Sequence, residues 1–348
     1  MRSNLLLMTL VVLLCLPASV LPSAADQNME LVSQTTGVVA TALAVRDKTV
    51  AVNYVVPPPA GGRLRFYDVT NPAAPLSRGD SSFSVTTSGP MCFDNQKLYM
   101  AGLVDPGIGV LMTIDTNGPD EPELVGVCPL WDWDWRGGLA VSNNLAYMWV
   151  DSGLSVFDVT DPTSITPRGS CTTSFSPYDA KIALSQDRAY VSWRVNINNE
   201  FRLLVFDRTE PTSLTLFTAY NVAKGNDFAV AGNLVYLLDA ETTLKILDFT
   251  DPTDPVLVGS LPHSGGIIRV SNGLAYILSG TTPTLLEVID VRNASAPTLR
   301  GSLALPSADF YDFVAVGKHA YLAAWQAGLL IVRYTGADVS SAHCWALY

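Results

Sequence analysis

Basic residues are scarce in this chain. Lys and Arg number 21 against 32 Asp and Glu, a formal net charge of −11 over 348 residues. Phosphate binding needs clustered positive charge, so nucleic acid is not an expected partner. Cysteine is scarcer still, and five Cys are too few for a disulfide-built scaffold. The three His, His263, His319 and His343, are scattered and lack zinc-ligand spacing. No Ser or Cys stands with a base and an orienting acid, so nucleophilic catalysis has no visible constellation. Helical periodicity is nowhere sustained. What is abundant is apolar: 48% hydrophobic against 15% charged residues, a globular composition.

The one long apolar run lies at the start. Met1-Arg2 precedes Leu5 to Leu16, broken only by Thr9, and Ser23-Ala24-Ala25 follows. A short charged region, an apolar core and small residues before a cut describe a signal peptide over residues 1–25, cleaved after Ala25. The core is shorter than the roughly 20 apolar residues that span a bilayer. Leu13-Leu14 before Cys15 are too large for a lipobox, so Cys15 belongs to the discarded peptide. The expected product is secreted, at the cell surface or periplasmic, with no membrane span after cleavage. Export permits disulfides. Cys92, Cys128, Cys171 and Cys344 allow three full pairings, and spacing does not choose among them.

One unit repeats through the rest. Leu154 to Pro162 reads LSVFDVTDP, and it recurs as Leu64 to Pro72, Leu203 to Pro211 and Leu244 to Pro252. Weaker copies are Leu286 to Ala294, Val110 to Pro119 and Leu329 to Gly336. The repeat Asp or its equivalent falls at 68, 115, 158, 207, 248, 290 and 333, a step of about 44 residues, within the range of propeller blades. A second signature precedes each copy: VSNNLAY at Val141, LSQDRAY at Leu184, VAGNLVY at Val230, VSNGLAY at Val270 and AVGKHAY at Ala315. Each is a strand end, a polar tight turn and a new strand near Tyr. One unit is therefore four antiparallel strands, A to D. The Asp of each copy sits in the C–D turn, where an Asx side chain bonds nearby amides. The expected fold is all-β: a seven-bladed propeller over residues 26–336, with a C-terminal tail at 337–348. The last copy lacks strand D. Glu30 to Gln34 is the expected replacement, pairing with Leu329 to Tyr334 and closing the ring.

The segments LSVFDVTDP, LKILDFTDP and LEVIDVRN make the chain similar to the LVIVD-repeat β-propellers, a family of secreted and surface proteins. The resemblance covers nearly all of the chain after the signal peptide. It implies the propeller fold and carries over no catalytic residues. The chain departs from the pattern at Asn293-Ala294, where Pro is missing, and at Arg333.

Strand direction assigns the loops. The A–B and C–D turns share one end, here the bottom, and are short and alike. The B–C loops and D–A crossings share the top and are long and unlike. An irregular loop face on a regular scaffold is where folds carry binding. Trp131, Trp133 and Trp135 occupy one D–A crossing with Asp132 and Asp134. Trp149, Trp193 and Trp325 end B strands at the same side. Tyr178, Asp179, Asp227, Tyr311 and Asp312 lie in equivalent crossings. These are the expected ligand-binding residues, since rigid rings with carboxylates suit sugars, peptides or cationic groups. The competing reading makes the strand-end Trp wedges between blades.

No cofactor is expected. Acids of several top loops could contribute to a calcium shell of about 6 to 8 oxygens, but no Asp-x-Asp-x-Asp-Gly loop is present. Asn293-Ala294-Ser295 matches the glycosylation sequon. Two functional classes follow. The first is a non-enzymatic binding propeller that uses its top face for an extracellular protein or carbohydrate. The alternative is a propeller hydrolase, lactonase or glycan-acting, with a metal at the channel mouth. The first is preferred because no catalytic set is visible.

Overall fold

The computed structural model describes residues 28–55, 62–81, 83, 89–104, 108–117, 122–130, 137–150, 153–174, 180–194, 200–223, 225–239, 243–263, 266–280 and 282–337. Among them, 28 strands form seven four-stranded antiparallel sheets, and no helix occurs. The inner strands are Val39–Arg46, Met91–Asp94, Leu139–Ser142, Ala180–Ser185, Gly225–Ala231, Gly266–Ser271 and Asp312–Val316. Each neighbours the next, and the last returns to the first. The chain is a closed seven-bladed β-propeller, as the repeats predict.

Each signature has a local cause. The A–B hairpins turn on two residues in the left-handed region, Asn143 (φ 55°) with Asn144 (φ 60°) and Asn272 (φ 50°) with Gly273 (φ 72°). Asn and Gly tolerate that region, whose twist matches the flanking strands. In the C–D turns the repeat Asp accepts the amide two residues on. The bonds are Thr70 to Asp68 (2.8 Å), Thr160 to Asp158 (3.0 Å), Thr209 to Asp207 (2.9 Å), Thr250 to Asp248 (2.7 Å) and Arg292 to Asp290 (3.2 Å). A second Asx bond follows, from Thr163 to Asp161 and from Thr253 to Asp251, both 2.9 Å. The repeat acids are therefore turn builders.

The glycine of strand D has a different cause. A Cβ on Gly169 would stand 2.3 Å from the Pro211 carbonyl oxygen of the next blade's C–D turn. One on Gly259 would stand 1.9 Å from that of Ala294, and one on Gly126 1.7 Å from that of Pro162. Adjacent blades touch there through bare backbone. A bulge precedes the glycine on each of these strands, turning it toward the neighbour.

The blades bury their faces against each other. Between blades 3 and 4, Tyr147, Trp149, Leu154 and Val156 meet Ile182, Val191, Leu204 and Phe206. Burial of this kind, at about 25 cal/mol per Å² of apolar surface, is the main stabilising term. The ring closes as the sequence predicts: Met29–Thr35 pairs antiparallel with Gly328–Tyr334, placing Glu30 opposite Arg333 and Gln34 opposite Leu330. Ser33 takes the position that is glycine in five of the other blades and Thr218 in blade 4. Its Oγ donates to the Pro72 carbonyl at 2.7 Å, so the closing junction exchanges a bare contact for a hydrogen bond. The Thr335 amide donates to the Asn28 carbonyl at 2.8 Å, tying the two described ends together. The expected signal peptide, and the tail from residue 338, lie outside the described residues. Cys92, Cys128 and Cys171 are unpaired and half-buried, and burial pushes the Cys92 thiol up to about 12. Cys344 lies outside the described residues.

Candidate functional site

The expected top-face residues have three fates. Trp131, Asp132, Trp133, Asp134, Trp135, Tyr178 and Asp179 lie outside the described residues. Trp149 is fully buried, packed edge-on against Phe206 of the next blade with ring centroids 6.3 Å apart. It is an inter-blade wedge and presents nothing to a ligand, which corrects its assignment from the sequence. Strand-end position places it at the top, but the strand pleat turns the indole into the blade interface. Trp193 is half-buried, with the Arg202 guanidinium from the facing strand 4.9 Å from its ring centroid.

Asp227, Tyr311, Asp312 and Trp325 converge on blades 5 to 7. The inner strands carry equivalent residues near their upper ends: Ala42, Pro90, Gly138, Lys181, Asp227, Ile267 and Asp312 in ring order. Blades 1 to 3 place small side chains or Pro there, and blades 4, 5 and 7 place charges. Arg269, two residues further along blade 6, joins them. Lys181 Nζ donates to Asp227 Oδ1 and to the Phe228 carbonyl, both at 2.6 Å. Asp227 Oδ2 accepts from the Ile268 amide at 2.9 Å and from Arg269 at 3.1 Å. Arg269 reaches on to Asp312 Oδ1 at 2.7 Å, which also accepts the Phe313 amide at 2.8 Å. Alternating charge therefore runs Lys181–Asp227–Arg269–Asp312 across four adjacent blades.

The chain of charges fixes its own protonation. Burial, then the nearby Arg269, lowers Lys181 to about 8, against the opposing pull of Asp227. For Asp227, burial acts upward, yet Lys181 and Arg269 together hold the carboxyl below its ordinary range. Both Asp227 oxygens are committed internally, so this acid braces blades. Asp312 is partly exposed, and its Oδ1 is held in place by Arg269 and the Phe313 amide.

Beside Asp312 stands the exposed part of the site. Tyr311 is 52% exposed, and its ring lies 5.1 Å from that of Trp325 at an interplanar angle of 34°. The Tyr311 amide donates to the Ala323 carbonyl at 3.1 Å. The Trp325 carbonyl accepts from Ala40 of blade 1 at 3.0 Å and from Gly328 at 3.1 Å. Trp325 has φ +33°, a strained value for a bulky residue. Backbone bonds thus hold both residues, Tyr311 at the start and Trp325 at the end of the strand pair that begins blade 7. Sequence reasoning missed Lys181, although aligning the inner strands three residues before the hairpin signatures at Leu184, Val230 and Ala315 sets it level with Asp227 and Asp312. Among the described residues no cluster of three or more His, Cys, Asp or Glu gathers to hold a metal.

The family model for the LVIVD repeat matches residues 137–173, 224–262 and 311–340. The chain carries LVIVD repeats. The three LVIVD stretches coincide with blades 3, 5 and 7, and the last includes Tyr311, Asp312 and Trp325. No curated protein matches the sequence. Several solved structures share this chain's fold. A computationally designed protein, Ika8, is 10% identical with a TM-score of 0.59, covering 89% of this chain and 100% of its own. A functionally unknown protein from Desulfotomaculum acetoxidans DSM 771 is 15% identical with a TM-score of 0.59, covering 78% and 87%. A chain of the mitotic checkpoint complex is 10% identical with a TM-score of 0.60, covering 95% and 99%. At such identities the likeness is one of fold alone.

Proposed function

We propose that this LVIVD propeller is an exported, non-enzymatic binding module that takes an extracellular protein or carbohydrate on its top face. The observation that carries the reading is the exposed Tyr311 ring, stacked on Trp325 next to the Asp312–Arg269 pair. A pinned aromatic ring loses little entropy on binding, and an adjacent fixed carboxylate orients a polar ligand. The Trp131 to Trp135 run, which the sequence assigns to a D–A crossing, is included in the proposed surface. Metal-assisted hydrolysis fits less well, because Lys181 and Arg269 already neutralise Asp227 and Asp312. The reading calls for no cofactor.

The test is a screen of the secreted protein against glycan and extracellular-protein arrays, with Tyr311→Ala beside the wild type. An aromatic anchor costs about 2 kcal/mol or more on truncation, roughly a 30-fold loss of affinity. The melting temperature should hold, because the ring is largely exposed. Full affinity in Tyr311→Ala, or product formation from an arrayed compound, would overturn the reading.

A further inference from the structure

At the bottom of the propeller, one repeat position packs across the seam between two blades. The residue after each repeat Asp faces the third residue of strand B in the preceding blade. Arg208 lies over Tyr147 in this way, 5.3 Å from the ring centroid, and donates to its hydroxyl at 3.2 Å. Phe249 packs edge-on against Tyr190, with centroids 5.9 Å apart. Between blades 2 and 3 the pair is Tyr99 and Val159, and both line a cleft of about 480 Å³.

The cleft presents several polar groups. Tyr99 is 98% buried at its floor (2% exposed) and makes no hydrogen bond to protein among the described residues. Burial pushes its hydroxyl up to about 12, so it stays protonated and able to donate. The carboxamides of Gln96 and Asn117 stand at the rim, again without a side-chain partner among the described residues. Lys97 is paired with Asp115 at 2.6 Å, while Asp94 accepts the Asn144 amide at 3.2 Å and keeps its negative charge.

We propose that this cleft is a second binding site, for a neutral carbohydrate. A phenol and carboxamides each offer a donor beside an acceptor, which is also what a sugar hydroxyl offers. Lys97 is neutralised by Asp115, and the Asp94 carboxylate is an acceptor for further hydroxyls. The volume lies in the range of small-molecule sites, about 300 to 1,000 Å³. The site is on the face opposite Tyr311, so it is independent of the proposed top-face function.

The experiment is an array of neutral oligosaccharides, followed by calorimetric titration of the strongest binder. Tyr99→Phe removes only the hydroxyl and should weaken binding about 5- to 10-fold. Val159→Arg installs the residue of blade 4 and should weaken it at least 30-fold. If that variant fails to fold, the double variant Gln96→Ala/Asn117→Ala, both exposed, should lower affinity about tenfold with an unchanged melting curve. Tyr311→Ala should bind these sugars as the wild type does. Absence of any bound neutral oligosaccharide, capture of peptides in their place, or full affinity in the cleft variants would overturn the proposal.

Discussion

At the scale of single residues, the blade junctions turn on groups that a methyl or a proton can upset. A Cβ on Gly259 would meet the Ala294 carbonyl at 1.9 Å, and forced overpacking of this kind costs about 1–3 kcal/mol. Gly259→Ala should lower the melting temperature accordingly, and an unchanged melt would mean that the blades shift apart freely. His319 sits beside the closing strand, next to the Arg333–Glu30 pair. Burial, then Arg333, lowers its pKa, with Glu30 opposing. A histidine lowered in the fold stabilises the protein above its unfolded value near 6.5, and that stability is lost as pH falls below it. The melting temperature should therefore drop between pH 7.5 and 5.5, and His319→Gln should flatten the drop. Equal drops in both proteins would exclude the role. Lys181 is the second probe. Its side-chain resonances should titrate near 8, and Asp227→Asn should move the midpoint lower by removing the carboxylate that opposes burial. A midpoint near 10.5 would mean the charged chain is open to water.

At the scale of the element, the repeat turns show how much a sequence discloses. The DVTDP pattern identifies its own mechanism, because Asx bonds are local and need only residues two apart. Asp158→Ala removes the bond from the Thr160 amide and should cost about 1 kcal/mol, read as a small fall in melting temperature. No change would show that the turn is held by the neighbouring blade alone. The A–B hairpins and the order of strands are legible for the same reason: period, turn chemistry and spacing are all short-range. The candidate site is less so. Trp149 and Trp325 occupy the same kind of strand end, yet one is a buried wedge and the other stacks under an exposed Tyr311. That difference comes from which blade face each ring follows, and it depends on bulges and crossings between distant segments. The bracing role of Asp227 is hidden likewise, since Lys181 and Arg269 lie 46 and 42 residues away. The glycine of strand D is visible as a repeat, but its reason, the carbonyl of the next blade, is not.

At the scale of the whole molecule, the ring stands on one junction unlike the other six. Every other blade draws its four strands from one continuous stretch; blade 7 borrows its outer strand from the start of the propeller. Closure is then worth more than one strand pairing. It covers the edge of Gly328–Tyr334, in which Leu329, Leu330, Ile331 and Val332 are fully buried, and it holds blade 7 against blade 1 through Ser33 and Pro72. Removing residues 28–36 should uncover that edge, lower the melting temperature sharply and promote association through the open strand. The segment supplied as a separate peptide should restore part of the loss, because the pairing is intermolecular in kind and only its effective concentration has changed. Ser33→Ala makes a finer cut. It keeps the strand and removes one hydrogen bond, so the expected cost is about 1 kcal/mol. A truncated protein that melts like the intact one would mean that the seven blade interfaces hold the ring without a clasp, and that the borrowed strand is an accident of where the repeats begin.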